Sequence, residues 1–404
     1  MVRSSLFLVV ATTAVVGVWS AASGAEPEHA TPDTARPPRI SLSSPAAAVA
    51  PSDSAVAARV RQVLDAARAD SAFPGAIAVV GTRTRVITEY GVGNLDWAPS
   101  PVPDDHTLWD LASLTKVIGL TSGIMQLVDQ GRVDVNAPVQ HYLPDWTGKN
   151  KNLVTIRHLL THTSGLPADK NYDQITHLPD SIAKLLYTTP LDTLPGVRMV
   201  YSDIGAYTLG RVLEKITSMP LDLYLHDHVF IPAAMNETMY NPPMALLARI
   251  APTEVDPVRG GLVHGKVHDE RAYWLGGVSA HAGLFSSAHD LTRFAQMYLN
   301  GGVIGGKRVL PAKEITFFTE KTLVADRALG WQKPNGSNSA GHLMSAKAFG
   351  HTGFTGTSIW IDPVNDVFII LLTNRVDPTR NNNKIGRVRV ALADSVMSAI
   401  PRKP

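Results

Sequence analysis

The sequence of 404 residues contains no cysteine. This absence excludes disulfide bonds, and it also excludes lipid attachment to a cysteine at a mature N-terminus. Hydrophobic residues make up 45% of the chain. A chain of this length and composition can bury a large core and form one or two domains without covalent cross-links.

Long apolar runs are also scarce. The only marked one spans residues 6–19, follows Arg3, and leads into small residues that include Ser23 and Ala25. This run is too short to span a bilayer, and the pattern is typical of a secretory signal peptide. We expect cleavage after about Ala25, which would give an exported protein, periplasmic or secreted, with no transmembrane anchor after signal cleavage.

The chain carries little excess charge. Its 37 Lys and Arg residues face 35 Asp and Glu residues, for a formal net charge of +2, or +1 once Arg3 is removed with the signal peptide. The sequence has no Lys/Arg cluster and no phosphate-binding loop of the Gly-x-x-x-x-Gly-Lys type. These features argue against nucleic acid and anionic membranes as partners, and they give no sign of a cofactor.

Strand patterns occur near both ends of the chain, and mostly helical patterns lie between them. Residues 26–53 are rich in Pro, Ala and Ser, which indicates a disordered linker. We predict an α/β (α+β) fold: an antiparallel sheet flanked by helices, with an inserted all-helical domain. The predicted ranges are 1–25 (signal peptide), 26–53 (linker), 54–110 with 256–404 (sheet domain) and 111–255 (helical domain).

The stretch 107–131 carries the strongest chemical signal. From Leu114 to Val128 apolar residues occupy nearly every side of a helix, which is typical of a buried one. Lys116 follows Ser113 by one turn, so the amine and the hydroxyl can meet on one face. A lysine in apolar surroundings tends to lose its proton, and we expect the neutral amine of Lys116 to activate Ser113 as a nucleophile.

A second Ser-x-x-Lys string, Ser181 to Lys184, competes with the first. It follows Leu178-Pro179-Asp180, so that Asp180 or Ser181 is expected to cap a short surface helix. Lys184 can then point into water at no cost. Burial of the helix that follows Ser113 therefore favours Ser113.

Two further segments offer polar groups for acyl transfer. Tyr201 can relay a proton if a cation lies nearby, and Asp203 points the same way if this loop is extended. The glycine-rich stretch 350–356 precedes a predicted strand and lets a ligand backbone come close. Taken alone, a tyrosine such as Tyr201 is more commonly a half-buried core residue, and the alternative for the glycines is a loop that only needs their flexibility.

Metal chemistry is the main competing interpretation, because the chain has 14 histidines. His158 and His162 stand four residues apart on a predicted helix, but Leu159 occupies the position of a metalloprotease glutamate. The segment 226–228 (His-Asp-His) has no obvious third ligand. We therefore predict no catalytic metal, and we interpret His264, His268 and His281 as turn or supporting residues.

Three motifs in this order resemble the serine β-lactamase/penicillin-binding-protein-like superfamily. They are Ser113-Leu114-Thr115-Lys116, Tyr201-Ser202-Asp203 and His351-Thr352-Gly353. The resemblance is to the branch of class C β-lactamases, DD-peptidases and family VIII esterases, notably penicillin-binding-protein-4B-like serine hydrolases. It extends over about residues 53–400 and includes the stretches 159–167, 267–270, 277–286 and 371–375.

The resemblance implies a role for each matching position. Ser113 would be acylated while Lys116 and Tyr201 manage its proton. The backbone N–H groups of Ser113 and Phe354 would form the oxyanion hole. The substrate-binding positions implied in this way are Asp203, His351, Thr352, Gly353 and Phe354.

Two positions depart from the usual pattern of this branch. Asp203 stands where asparagine is usual, and His351 stands where lysine is usual, and both departures weaken a β-lactamase assignment more than an acyl-transfer one. A histidine titrates near pH 6.5 unless its surroundings shift it. We therefore expect His351 to bind a substrate carboxylate as a cation, with KM rising between about pH 6 and 8.

The sequence predicts an exported serine hydrolase that works through an acyl-enzyme on Ser113. The favoured activity is that of a D-alanyl-D-alanine carboxypeptidase or a related hydrolase of peptidoglycan peptides. The substrate would be a small acyl compound or a D-amino-acid peptide. One alternative is an esterase for small esters, or a weak β-lactamase, of the same fold. The other is a catalytically silent module that binds the cell wall.

Overall fold

A five-stranded antiparallel sheet forms the centre of the molecule. The computed structural model describes residues 51–401. The predicted signal peptide and most of the predicted linker lie outside the described residues. The strands are β1 (Gly75–Gly81), β2 (Val86–Gly93), β3 (Trp109–Asp110), β4 (Met239–Tyr240), β5 (Val255–Asp256), β6 (Gly261–Leu262), β7 (Leu284–Ser286), β8 (Val303–Ile304), β9 (Lys307–Arg308), β10 (Phe349–Thr352), β11 (Ser358–Asp362) and β12 (Val367–Thr373).

The helices fall mostly between the two groups of long strands. The α-helices are α1 (Pro51–Ala69), α2 (Ser122–Asp129), α3 (Val139–Tyr142), α4 (Ile156–Leu160), α5 (Pro179–Thr188), α6 (Asp203–Thr217), α7 (Leu221–Leu225), α8 (Glu270–Trp274), α9 (Ala288–Leu299), α10 (Ala312–Thr319) and α11 (Ile385–Ala399). Short 3-10 helices span Ala112–Leu114, Lys151–Leu153, Tyr172–Gln174, Met244–Arg249 and Pro257–Arg259, and π-helices span Lys116–Thr121 and His226–Phe230.

The central sheet joins the two ends of the described chain. Its strand order is β10-β11-β12-β1-β2, and β12 pairs with β1 so that Ala76 lies opposite Thr373. Every residue of β1 is buried. Ile77 and Val79 face the larger core, whereas Ala76, Ala78 and Val80 face a second cluster that includes α1 and α11. Both faces are covered, which explains the uninterrupted apolar sequence of this strand.

Several predicted elements occur where the sequence places them. Helix α6 spans Asp203–Thr217, as predicted, and the hairpin formed by β11 and β12 is the predicted one. Helix α1 begins at Pro51, slightly before the predicted capping residue. The apolar stretch after Ser113 is helical throughout but starts with a 3-10 turn and a π-helix before α2. The chain then turns at Gly131, whose φ of +67° is left-handed.

The described residues belong to one compact unit. Strands β3, β7 and β4 form a small sheet. Of these, β3 precedes the region predicted as a helical domain, β4 lies within that region and β7 follows it. The division into a sheet domain and an inserted helical domain stays a prediction. Among residues 51–401, no helix combines the length and the apolar character needed to cross a bilayer.

Candidate active site

Ser113 lies on a strained turn that connects β3 to the buried helical segment. Ala112, immediately before it, has a φ of +46°, an uncommon value for a residue with a side chain. The buried carboxylate of Asp110 supports this turn: Oδ1 accepts the N–H of Ala112 at 2.7 Å and Oδ2 accepts the N–H of His268 at 2.6 Å. Ser113 itself stays half-buried, so its hydroxyl is held in place but remains accessible.

Lys116 is buried beneath Ser113, with only 3% of its surface exposed. Its Nζ donates to Ser113 Oγ at 3.0 Å and to the backbone oxygen of His281 at 2.8 Å. The same nitrogen lies 2.7 Å from Asp203 Oδ1. The structure therefore brings the predicted amine and hydroxyl together and adds a carboxylate to the pair.

This carboxylate corrects the expected charge of Lys116. Burial by itself lowers the pKa of the ammonium group, as expected from the sequence. The negative charge of Asp203 and the interactions with Tyr201 outweigh burial, and the pKa of Lys116 is raised. The resting lysine is thus a cation, because an anion on a distant segment meets it in the fold.

The ring of Tyr201 lies against Lys116. The residue precedes Ser202, whose backbone is extended and whose hydroxyl accepts the N–H of Gly205 to cap helix α6. The centroid of the Tyr201 ring is 5.0 Å from Lys116 Nζ and 4.5 Å from the centroid of the buried His162 ring. Burial raises the pKa of the Tyr201 phenol, while the charge of Lys116 opposes that rise.

Asp203, the first residue of α6, binds two cations. Besides Lys116, its Oδ2 accepts from Arg271 Nη2 at 3.2 Å. Arg271 comes from helix α8, which Asp269 caps by accepting the N–H of Ala272. The prediction that Asp203 contacts substrate is untouched by these contacts, but its direct partners in this structure are Lys116 and Arg271.

The loop after β10 meets the turn that carries Ser113. Thr355 Oγ1 donates to the oxygen of Asp110 at 2.7 Å, and Thr357 Oγ1 donates to the oxygen of Leu111 at 3.1 Å. A Cβ on Gly353 would lie 2.5 Å from that Leu111 oxygen, so only glycine allows this approach. Gly353, the half-buried Thr352 and the exposed Phe354 are thereby held beside the Ser113 turn.

His351 is buried on β10, with 4% of its surface exposed. Its Nδ1 lies 2.8 Å from the oxygen of Thr352, and its ring centroid is 5.8 Å from that of Tyr201. Burial and the charges of Arg327 and Lys116 lower the pKa of His351 to about 3. The expectation that His351 titrates near neutrality is therefore wrong, because the sequence did not show these cations.

The second Ser-x-x-Lys string lies elsewhere. Helix α5 begins at Pro179 with Leu178 as the residue before it, so neither Asp180 nor Ser181 is the cap that the sequence suggested. Lys184 is exposed, as expected, and Ser181 lies within the first turns of the helix. The lysine of this string is therefore solvated rather than buried beside its serine.

The histidines considered as metal ligands have protein partners. His158 Nδ1 accepts the N–H of Thr155, and His162 Nδ1 accepts the N–H of Ser202. Elsewhere in the described chain, donor atoms of Glu237, His289 and Asp290 lie within 4.8 Å of one another. Those carboxylates already accept from protein donors, among them Arg249 for Glu237 and Thr238 for Asp290.

Four residues of this site have no catalytic role predicted from the sequence. Asp269 lies within the stretch 267–270, which resembled the family without a function attached to it, and Arg271 directly follows that stretch. His281 was expected to be a supporting residue. Arg327, whose Cζ lies 5.5 Å from the centroid of the Tyr201 ring, had no sequence signal at all.

Comparisons with known proteins identify the family of the chain. The Beta-lactamase family model matches residues 60–393. Two proteins provisionally named D-alanyl-D-alanine carboxypeptidases, from Salmonella agona and Salmonella typhimurium, are each 36% identical to the chain over 312 residues, which is 69% of this chain and 72% of theirs.

Solved structures show the same fold at low sequence identity. EstCE1, described as a hydrolase with promiscuous acyltransferase activity, superposes with a TM-score of 0.70 at 20% identity, covering 85% of this chain and 99% of its own. A penicillin-binding protein homologue from Caulobacter crescentus gives 0.69 at 19% identity, covering 85% and 98%. The chain belongs to the Beta-lactamase family and is an enzyme of the serine hydrolase type.

Proposed function

We propose that Ser113 forms an acyl-enzyme and that Lys116 and Tyr201 move its proton. The observation that carries this proposal is the hydrogen bond of 3.0 Å between Lys116 Nζ and Ser113 Oγ at a buried lysine. A serine hydroxyl is a weak nucleophile until a neighbouring group takes its proton. Lys116 and Tyr201 are the titratable side chains placed to do so.

The proton inventory of the resting site defines the first step. Lys116 holds its proton because its pKa is raised, and so does Tyr201. The coupled pair must release one proton before it can accept the proton of Ser113. Ser113 Oγ then attacks the substrate carbonyl, the pair takes the hydroxyl proton, and Tyr201 returns it to the leaving group. Water attacks the acyl-enzyme in the second half-reaction and regenerates Ser113.

The loop after β10 supplies the other half of the site in this proposal. The backbone N–H groups of Ser113 and Phe354 would stabilise the oxyanion of the tetrahedral intermediate. The two threonine hydrogen bonds to residues 110 and 111 fix the distance between these segments. Such a rigid arrangement is what an oxyanion hole requires, because its donors must not reorganise during the reaction.

We infer that the substrate is a peptide ending in D-alanyl-D-alanine. The two Salmonella relatives support this inference through their names. The buried Arg327 supports it too: Asp326 Oδ1 lies 3.7 Å from its Nε, but Nε and Nη1 donate no hydrogen bond within the part of the chain that the structure describes. This guanidinium adds positive charge beside Tyr201, which favours a substrate with a free carboxylate. The predicted signal peptide fits action on peptidoglycan outside the cytoplasm.

The wild-type enzyme should release D-alanine from an N-acetylated tripeptide ending in D-alanyl-D-alanine. Capping the terminal carboxylate as an amide should lower kcat/KM roughly tenfold to a hundredfold, because an unpaired charge partner is left in the cleft. KM for the acid peptide should stay flat from about pH 6 to 8, since His351 remains neutral there. Chromatographic assay of the released D-alanine, or of D-alaninamide from the capped peptide, measures the turnover of both peptides and the KM values.

A neutral p-nitrophenyl ester serves as the comparison substrate. Hydrolysis of the ester without cleavage of either peptide would contradict the peptidase proposal and favour the esterase alternative. Failure to process any of the three compounds would favour the wall-binding module.

A further inference from the structure

Lys116 is one corner of a closed ring of five residues. Its Nζ lies 2.7 Å from Asp203 Oδ1, and Asp203 Oδ2 accepts from Arg271 Nη2 at 3.2 Å. Arg271 Nη2 also lies 3.5 Å from Asp269 Oδ2, whose other oxygen is 2.9 Å from His281 Nε2. The backbone oxygen of His281 accepts from Lys116 Nζ at 2.8 Å and closes the ring.

The ring joins segments that are far apart in sequence. Lys116 begins the π-helix after the nucleophile, Asp203 begins α6, and Asp269 and Arg271 lie at the start of α8. Arg271 is buried, with 6% of its surface exposed. Burial lowers the pKa of Arg271 to about 10, so it remains a cation at neutral pH. It also contacts Asp169 on the more exposed side.

Asp203 creates an electrostatic problem that Arg271 can relieve. A carboxylate against Lys116 strengthens the hold of the lysine on its proton, which opposes the release that acylation needs. An asparagine, the usual residue at this position in the branch that the sequence resembles, carries no charge and would not strengthen the hold of Lys116 on its proton. The Arg271 cation pairs with the other oxygen of the same carboxylate and thereby partly neutralises its negative charge.

We propose that Arg271 is a positioning residue that holds Asp203 and offsets its charge, so that Lys116 can give up its proton. The ion pair of Arg271 and Asp203 would then present Lys116 with a smaller negative charge, closer to that of a neutral asparagine. This inference rests on the proposed function only in that Ser113 and Lys116 carry acylation. It makes no assumption about the substrate.

The other groups around Lys116 define what else could set its protonation. Tyr201 is part of the coupled pair. The pKa values of His162 and His351 are lowered by burial and by the nearby charges of Arg327 and Lys116, so both rings are neutral. In Asp269, burial favours the protonated form, but the contacts with His281 and Ala272 and the charge of Lys116 dominate, and its pKa is lowered. The charged side chains at this site are therefore Asp203, Asp269, Arg271 and Arg327, with Asp169 paired to Arg271 and Asp326 Oδ1 3.7 Å from Arg327 Nε.

The pH dependence of acylation tests the proposal. With a neutral p-nitrophenyl ester, the acidic limb of kcat/KM should move up by about one pH unit in Arg271→Met, since Asp203 is then unopposed. Asp203→Asn should move the same limb down by about one unit. In the Asp203→Asn background, adding Arg271→Met should produce a much smaller shift, because the charge that Arg271 offsets is gone. Arg271→Lys should keep the limb near that of the wild type.

A substrate-free readout separates this proposal from the proposed function. Titration of ¹³C-labelled lysine side chains by NMR reports the protonation of Lys116, whose signal is identified by its loss in Lys116→Ala. Its pKa should follow the same order across the variants even if the protein acylates nothing. The matched control is the pair Arg211 and Glu214, an ion pair farther along α6. The double variant Arg211→Gln/Glu214→Gln should change neither the acidic limb of kcat/KM nor the NMR titration of Lys116.

Two results would overturn the proposal. One is an Arg271→Met shift of equal size with and without Asp203, which would mean that Arg271 acts independently of the carboxylate. The other is a loss of activity in Arg271→Met with no change in either titration, which is the signature of a structural role alone. If the Arg271→Met protein is too unstable to study, Arg271→Lys and Asp203→Asn decide the question. Asp203→Asn should still move the acidic limb and the lysine pKa down while Arg271→Lys leaves both near the wild type, and failure of either result would contradict the proposal.

Discussion

Ser113→Ala is expected to abolish covalent labelling by a fluorophosphonate and to lower ester turnover by at least about a thousandfold. Loss of the attacking oxygen removes the acyl-enzyme pathway, and only weak catalysis by oxyanion stabilisation and binding can remain. The reason for placing the effect at Ser113 is the Lys116 contact at 3.0 Å within a buried site. Intact-mass spectrometry before and after treatment measures the adduct directly.

Ser181→Ala is the matched control, because the chain contains a second Ser-x-x-Lys string. Lys184 is exposed on the surface helix α5, so it is not buried against Ser181 as Lys116 is against Ser113. Labelling of Ser181→Ala should therefore equal that of the wild type. An adduct of full mass that persists in Ser113→Ala would place the nucleophile elsewhere and contradict the site as a whole. Thermal unfolding of both variants checks that neither result comes from misfolding.

Much of the fold follows from local sequence patterns. Helix α6 and the β11–β12 hairpin have strong periodicity and clear ends, and the sequence predicted both closely. The alternating faces of β1 could not be recognised, because both are covered and the strand is apolar throughout. The short strands β3, β4 and β7 carry too few residues for any period to show.

The order of the three motifs was enough to predict that Ser113, Lys116 and Tyr201 share one site. What the sequence could not show was the charge state of the site, which depends on contacts between distant segments. Lys116 was expected to be neutral because its own helix is apolar, but Asp203 lies 2.7 Å away and keeps it protonated. His351 was expected to titrate near neutrality, but burial and Arg327 prevent it.

These two corrections alter how the enzyme should be viewed. Recognition of a carboxylate can no longer depend on a histidine cation at position 351, and the buried cations beside the Tyr201 ring are Lys116 and Arg327. Activation of Ser113 can no longer depend on a lysine made neutral by burial alone. In our proposal the base is instead the coupled Lys116–Tyr201 pair, and the five-residue ring adjusts its proton affinity through Asp203 and Arg271.

The last prediction tests whether Lys116 and Tyr201 act in one step. Lys116→Ala and Tyr201→Phe should each slow acylation about 10²- to 10⁴-fold, the usual contribution of a positioned acid or base. Tyr201→Phe removes the phenolic proton carrier but keeps the ring, which lies 5.0 Å from Lys116 Nζ. Stopped-flow acylation by the neutral ester gives the rate constants.

The double variant decides the question. When two groups share one proton-transfer step, losing the second costs little once the first is gone. Lys116→Ala with Tyr201→Phe should therefore be only slightly slower than the worse single variant. If instead the losses multiply, so that the double variant is slower by the product of both factors, the two residues serve separate steps and the coupled pair does not exist. The single variants should also lose the acidic limb of the wild-type pH profile, because that limb reports deprotonation of the pair.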